Sequence, residues 1–205
     1  MKTLLRIDSS LRTEGSYSRN LADYFQTMWK TVNPAGKVIH RDLVKKEIPH
    51  ITNSTIAGFY AAKEDNTSET VKATALSDEL IAELKSSDEV LISSPMYNCS
   101  IASTLKAYID YVFRINHTFQ YVNNECHGLL NNKKVFIITV KVGLFKGTKM
   151  ERYEFQNPYL KSVLELMGMK VEYLLSLEGT SNREIAEKNK TTIENTINSI
   201  FSIKM

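Results

Sequence analysis

The chain has 205 residues, of which 42% are hydrophobic and 24% are charged. This composition is that of an ordinary globular domain, and it excludes a disordered or fibrous protein. The formal net charge of +3 is too small, and the basic residues too evenly mixed with the acidic ones, to indicate a nucleic-acid-binding protein.

The sequence carries no targeting or metal-binding signal. Arg6 and Asp8 interrupt the apolar N-terminal run, so we expect no signal peptide, and no apolar run has the length of a membrane helix. Cys99 and Cys126 form no CxxC pair and have no zinc-site spacing, so we expect no metal. We therefore expect a single domain over residues 1–205 in the reducing cytoplasm, with no membrane partner.

Strand-like and helix-like patterns alternate along the chain. Short apolar runs predict strands, whereas apolar residues at helical spacing predict helices. In chain order, the first half gives a strand at 2–7, a helix at 17–32, a strand at 37–43, a polar stretch at 45–70 with a short helix at 54–62, and a helix at 68–87.

The second half continues the alternation. Pro158 suits the first turn of a helix, and Gly168 suits a helix end. In chain order, this half gives a strand at 88–95, a helix at 101–114, a strand at 133–140, a helix at 157–169, a strand at 170–179 and a helix at 182–203.

Strands that alternate with helices indicate a parallel sheet with helices on both faces. The five predicted strands favour an α/β fold of the flavodoxin-like, doubly wound type. In such sheets, ligands bind beyond the carboxyl ends of the strands, near the point where the strand order reverses. A functional site is therefore expected in the loops that follow the first, third and fourth strands.

The loop after the first strand, DSSLRTEGSYSRNLA at 8–22, is rich in hydroxyl groups. Ser16 or Ser18 suits a helix N-cap, with further hydroxyls at Ser9 and Ser10, and a helix N-terminus favours a phosphate. The loop matches neither GxGxxG nor a P-loop, which argues against a dinucleotide-binding Rossmann site and an NTPase. The alternative is a serine-rich cap without a ligand.

The segment SSPMYN, residues 93–98, follows the third strand. Pro95 fixes the backbone, Met96 and Tyr97 offer surface for a flat ring, and Asn98 offers a donor and an acceptor. The alternative is a plain connection between strand and helix, capped by Asn98 or Ser100.

Several motifs occur in the order of a known family. They are SSLRTEGSYS, LSDELIAELKSSD, SSPMYN, HTFQY (117–121), GLLNNKKV (128–135) and EG (178–179). Together they resemble the FMN-dependent NADH-azoreductases along essentially the whole chain. These are flavodoxin-like quinone and azo-dye reductases that were once mislabelled as acyl-carrier-protein phosphodiesterases.

The resemblance implies a set of FMN contacts. The residues expected at the phosphate are Ser10, Ser16, Tyr17 and Ser18. Those expected along the ribityl chain and the isoalloxazine ring are Pro95, Met96, Tyr97, Asn98 and Cys99. The family continues after the fourth strand with Ser-Arg-Gly-Gly, where this chain has Val-Lys-Val-Gly at 140–143. We expect Val140, Lys141 and Gly143 to contact the cofactor, although the lost serine and glycine alter the contacts with the ring.

The resemblance also implies a substrate pocket shared between two subunits of a homodimer. Phe119 and Tyr121 would close the neighbouring subunit's pocket, and the alternative for both is core packing. Val163 stands where the family often has Phe, which predicts a roomier pocket. His117 directly precedes the aromatic segment, and the histidines show no metal-ligand spacing. The apolar helix at 101–113 suits a dimer interface, although a buried helix has the same pattern.

The expected activity is ping-pong hydride transfer from NADH to a quinone or an azo compound. The flavin N5 atom carries the hydride, so we expect no catalytic side chain. The alternative is a flavodoxin-like electron carrier or regulator that binds FMN without turning over NADH. A phosphodiesterase would need a metal or a nucleophile, and we find neither constellation in the sequence. The sequence leaves the choice between NADH and NADPH open.

Overall fold

The computed structural model describes residues 1–61 and 67–202. In chain order, its elements are β1 (Thr3–Asp8), α1 (Tyr17–Val32), β2 (Lys37–Asp42), α2 (Asn53–Tyr60), α3 (Ser68–Ser86), β3 (Glu89–Pro95), α4 (Ser103–Val112), β4 (Phe119–Val122), β5 (Glu125–Gly128), β6 (Lys134–Val140), a 3₁₀ turn (Glu151–Tyr153), α5 (Gln156–Leu166), β7 (Lys170–Leu177) and α6 (Arg183–Phe201).

The main sheet has five strands in the order β2-β1-β3-β6-β7. Every neighbouring pair in it is parallel, which confirms the predicted doubly wound, flavodoxin-like sheet. The chain moves outward from β1 to β2 and then returns to place β3 on the other side of β1. The strand order therefore reverses between β1 and β3, and their carboxyl ends border a crevice.

Alternate residues of each strand pack into two apolar layers, one on each face of the sheet. Leu4 lies in the layer formed with α1 and α6, where Phe25 and Trp29 are fully buried. Leu5 lies in the layer formed with α3, α4 and α5, which includes Leu105. The period-two alternation within β1 thus serves both layers, as a strand covered by helices on both faces requires.

Helix α4 is shorter than predicted, and its apolar face packs against residues of its own chain. It begins at Ser103 rather than at residue 101. Its apolar residues are buried against the sheet and α3, including Leu105, Ile109 and Val112. Of the two interpretations of its apolar pattern, a dimer interface or a buried helix, burial accounts for most of its apolar residues. Within the described ranges, no helix combines the length and the apolar character needed to cross a bilayer.

The other helix ends follow local signals. Helix α5 ends at Leu166, and Gly168 then takes a left-handed backbone with φ +88°, which confirms it as the helix stop. Pro158 lies in the first turn of α5, as predicted. The short helix predicted at 54–62 is α2, and residue 62 lies outside the described residues. The same holds for residue 203 at the predicted end of α6.

A β-hairpin was missing from the sequence interpretation. Strands β4 and β5 pair in antiparallel fashion, Val122 opposite Glu125. Asn123 and Asn124 connect them with φ values of 52° and 64°. A two-residue turn with both residues left-handed matches the twist of a hairpin, and asparagine tolerates that conformation. The dipeptide Asn-Asn between two short runs was the available signal.

Candidate functional site

Segments that follow four strands meet at the carboxyl edge of the sheet around a cavity of about 300 Å³, which we call the edge cavity. The loop after β1 contributes Ser10, Ser16, Tyr17 and Ser18. The end of β3 contributes Pro95, Met96 and Tyr97, and the end of β6 contributes Val140. The structure therefore brings together most of the residues that the sequence assigned to one ligand.

The serine side chains of the first loop form a buried cluster. The Ser16 hydroxyl donates to Ser10 Oγ at 2.9 Å and lies 3.2 Å from Ser18 Oγ. All three residues are almost fully buried, and we call them the hydroxyl cluster. Such a set of hydroxyls offers donors to the oxygen atoms of an anion.

Helix α1 begins directly at the hydroxyl cluster. Ser16 is its N-cap, with Oγ accepting from the Arg19 N–H at 3.4 Å, which decides between the two serines proposed for the cap. The N–H groups of Tyr17 and Ser18 belong to the first turn, where a helix supplies no internal partner. These N–H groups, the helix dipole and the hydroxyls fit a phosphate. A helix cap without a ligand would need only the Ser16 hydroxyl, and it would leave the hydroxyls of Ser10 and Ser18 without a capping role.

A buried ionic network holds this loop from behind. Arg19 donates to the Ser10 carbonyl at 2.8 Å and binds the Asp42 carboxylate through two nitrogens, at 2.6 and 2.9 Å. Asp8 is fully buried and accepts from Arg6 at 2.8 Å and from the Ser93 hydroxyl at 2.7 Å. The loop position is thus fixed by charge pairs between β1, β2 and α1.

The second loop is a tight hairpin turn rather than a helix cap. Tyr97 and Ser100 exchange two backbone hydrogen bonds, at 2.9 and 3.0 Å. Asn98 and Cys99 between them have φ values of 47° and 67°. The N-cap of α4 is Ala102, which makes no side-chain cap bond, so the interpretation of Asn98 or Ser100 as a cap is wrong.

Backbone bonds from two other elements position this turn. The Met96 N–H donates to the Val140 carbonyl at 2.7 Å, and the Phe155 N–H donates to the Cys99 carbonyl at 3.0 Å. Asn98 is exposed and lines a second cavity of about 650 Å³ on the far side of Tyr97, which we call the side cavity. The turn therefore separates two concave surfaces and presents side chains to both.

The loop after β6 divides its residues between two environments. Val140 lines the edge cavity together with Val142, whereas the Lys141 ammonium lies 2.6 Å from Ser176 Oγ and 3.3 Å from Glu178 Oε1. Gly143 is exposed beyond the cavity. Its contact with a cofactor remains a prediction.

Four residues of the edge cavity were not singled out from the sequence. They are Arg12, Gly15, Val142 and Thr180. Arg12 and Gly15 belong to the serine-rich loop, so their position there was the signal. Thr180 follows the Glu-Gly pair at 178–179, and nothing in its local sequence pointed to the cavity.

The residues expected at the substrate pocket lie apart from one another. Phe119 is 7% exposed and stacks on Phe113, with ring centroids 4.3 Å apart. Tyr121 is 62% exposed. Val163 is buried in the apolar layer beneath α5. His117 lines a further cavity, together with Arg114. Core packing thus accounts for Phe119 and Val163 within one chain, whereas Tyr121 is available to a partner.

Comparison with known proteins matches the geometry. The family model described as the flavodoxin-like fold matches residues 1–199. The FMN-dependent NADH:quinone oxidoreductase of Xanthobacter autotrophicus is 42% identical over 172 residues, which is 83% of each chain. The protein of the same name from Hydrogenovibrio crunogenus is 36% identical over 200 residues, 95% of this chain and 99% of that one.

A solved structure gives the same result. The azoreductase from Bacillus anthracis str. Sterne has 26% identity and a TM-score of 0.90, and the match covers 98% of this chain and 99% of that one. The chain therefore belongs to the family of the flavodoxin-like fold and, within it, to the FMN-dependent NADH:quinone oxidoreductases. The family resemblance seen in the sequence motifs is confirmed.

The ionic network predicts how stability depends on pH. Hydrogen bonds from Arg19 lower the pKa of Asp42 from 3.8 to about 2. Because the folded pKa lies below the unfolded one, Asp42 stabilises the fold above pH 3.8, and this contribution is lost as the pH falls towards 2. The free energy of unfolding, measured by chemical denaturation, will therefore fall between pH 5 and 2, and it will fall less in Asp42→Asn. An equally steep decline in the variant would contradict this assignment.

Proposed function

We propose that the chain is an FMN-dependent oxidoreductase that uses NADH to reduce quinones and azo compounds. The main support is the edge cavity, where a buried hydroxyl cluster at a helix N-terminus adjoins an apolar surface. A phosphate fits the first part and a flat heterocycle fits the second. The names of the relatives agree with this chemistry.

The chain's residues divide the work of binding. The hydroxyl cluster and the first N–H groups of α1 hold the phosphate. Pro95, Met96 and Tyr97 would contact the ring, as would Val140 and Val142. Asn98 and Cys99 act through the turn that they form, and the Asn98 amide is available as a hydrogen-bond partner.

FMN, when bound, supplies the hydride acceptor and donor, so the protein needs no acid–base side chain. The residues that line the edge cavity would bind and orient the ring, and the adjoining side cavity offers room for a second ligand. Because the sequence has no separate dinucleotide motif, we propose that NADH and the acceptor use this side cavity in turn. Such exchange is ping-pong kinetics.

Steady-state kinetics test the activity. We expect the FMN-loaded protein to oxidise NADH with a quinone, and double-reciprocal plots at several quinone concentrations to be parallel. Intersecting plots would contradict alternation in one cavity. FMN binding without NADH turnover would instead identify an electron carrier. The altered Val-Lys-Val-Gly turn is the reason for testing this alternative.

We also propose a homodimer, a single domain and a cytoplasmic location. Large apolar side chains are exposed near the edge cavity and on the β4–β5 hairpin, and these supply the surface that α4 does not. The most exposed are Leu11 at 52%, Tyr121 at 62%, Val142 at 66% and Phe155 at 55%. Sedimentation velocity of the active protein will measure the assembly, and a fully active species of 23.4 kDa would contradict the dimer.

The phosphate assignment is tested with Ser10→Ala and Ser18→Ala combined. Ser16 is left in place because it caps α1, so its loss would also weaken the helix. Two lost charge-assisted bonds predict about 3 kcal/mol, roughly a hundredfold weaker FMN binding. Riboflavin, which has no phosphate, should be almost unaffected in a fluorescence titration. Ser86→Ala, at the exposed end of α3, is the matched control, and equal weakening of both ligands would contradict the assignment.

Two variants at one position separate the amide of Asn98 from its turn. Asn98→Gly removes the amide and still accepts the left-handed backbone, whereas Asn98→Ala also strains the turn. If the amide binds the cofactor, both variants will weaken FMN about fivefold, for about 1 kcal/mol. Only Asn98→Ala should lower the melting temperature of the flavin-free protein. Unchanged FMN affinity in Asn98→Gly would show that the residue serves the turn alone.

A further inference from the structure

Lys141, directly after β6, carries a fully buried ammonium group. Its side chain is 0% exposed, and Nζ lies 2.6 Å from Ser176 Oγ, 3.3 Å from Glu178 Oε1 and 3.8 Å from Glu154 Oε1. Burying a lysine charge costs several kcal/mol unless it is paired. The two carboxylates supply that pairing, so the ammonium group is stable in the interior of the protein.

Both carboxylates also hold backbone segments. Glu178 Oε2 accepts from the N–H groups of Phe145 and Lys146, at 2.7 and 3.0 Å. Glu154 Oε1 accepts from the N–H groups of Gln156 and Asn157 in the first turn of α5, both at 3.0 Å. One ammonium therefore connects the segment after β6, the segment after β7 and the start of α5.

The connected segments form one side of the edge cavity. Val140 and Val142 flank Lys141 in sequence and line the cavity, as does Thr180, and we call these three residues the pocket wall. The Thr180 N–H donates to the Lys141 carbonyl at 3.2 Å. Gly179 and Gly143 make a further backbone bond of 3.0 Å across the same segments. The wall thus depends on the two loops keeping their relative position.

The carboxylates around Lys141 neutralise its charge, which argues against a direct electrostatic interaction between Lys141 and the flavin ring. Burial raises the pKa of Glu178, but the N–H groups of Phe145 and Lys146 and the charge of Lys141 outweigh this, and the pKa is lowered overall. Glu178 is therefore a carboxylate at neutral pH. With a second carboxylate at Glu154, the positive charge is fully compensated where it stands.

We propose that Lys141 is a positioning residue that holds the pocket wall in place through Glu178 and Glu154 and makes no side-chain contact with the flavin. This inference rests on the proposed function, because it assigns the wall to the ring of FMN. It changes the expectation from the family resemblance, in which position 141 belonged to the cofactor contacts.

The first test is Lys141→Met, which keeps the length of the side chain and removes its charge. Two largely buried carboxylates then lose their cationic partner, which is destabilising, and the pocket wall will loosen. We expect FMN and riboflavin to bind roughly tenfold more weakly, both by the same factor, because the wall and not the phosphate site is disturbed. Lys146→Met, an exposed lysine in the same loop, is the matched control and should bind both ligands normally.

Two readouts separate positioning from contact. The midpoint potential of bound FMN should move by less than about 30 mV, the value of a tenfold affinity difference for a two-electron couple. Adding Glu178→Gln to Lys141→Met removes one unpaired charge while keeping an acceptor for the loop N–H groups, so it should restore most of the affinity. A larger shift in potential, or no loss of flavin affinity in Lys141→Met, would overturn the proposal.

Hydrogen exchange tests the inference without any cofactor. In the flavin-free protein, Lys141→Met should speed exchange at the Phe145 and Lys146 amides while leaving the α1 amides unchanged. Glu178→Gln should show the same pattern more weakly, and this variant replaces Lys141→Met in the test if Lys141→Met does not fold. Unchanged exchange at these amides would overturn the proposal. If the wild-type chain binds no flavin, the proposed function fails, whereas this experiment still decides the role of Lys141.

Discussion

The buried carboxylate of Asp8 is the interaction on which the carboxyl edge of the sheet depends. It lies at the end of β1 and accepts from Ser93 of β3 at 2.7 Å and from His40 of β2 at 2.8 Å. Burial raises its pKa, but these bonds and those from Arg6 outweigh burial and lower the pKa overall. Since an unpaired buried charge is costly, these bonds stabilise the observed arrangement of the strands that border the crevice.

The segments that line the edge cavity are held by ion pairs and by hydrogen bonds to backbone groups. Arg19 lies 3.7 Å from Asp8 and donates to the Ser10 carbonyl, so the serine loop follows the position of β1. The turn at Tyr97–Ser100 is bonded to β6 through Met96, and the segment after β6 is bonded to the one after β7. The positions of the side chains that line the edge cavity therefore follow from the main-chain geometry.

The sheet and the serine loop could be predicted because they depend on local patterns. Apolar runs defined the strands, and Ser16 had the chemistry of a cap. The conformation at Asn98 and Cys99 could not be predicted, since proline followed by polar residues suits several turns. The environment of Lys141 depends on Glu154 and Glu178, which no local pattern connects to it. The β4–β5 hairpin was missed because four-residue strands carry too little periodicity.

The left-handed turn also constrains how this protein can be redesigned. Glycine, asparagine and aspartate adopt such backbone angles most readily, and Cys99 adopts them at a cost in strain, so most substitutions at positions 98 and 99 are unfavourable. Val142 and Leu144, at 66% and 47% exposure on the opposite rim, carry no such restriction. A mutant library intended to broaden the range of dyes or quinones should therefore vary that rim and leave the turn unchanged, since most variants at the turn would add about 1–2 kcal/mol of backbone strain whatever their effect on selectivity.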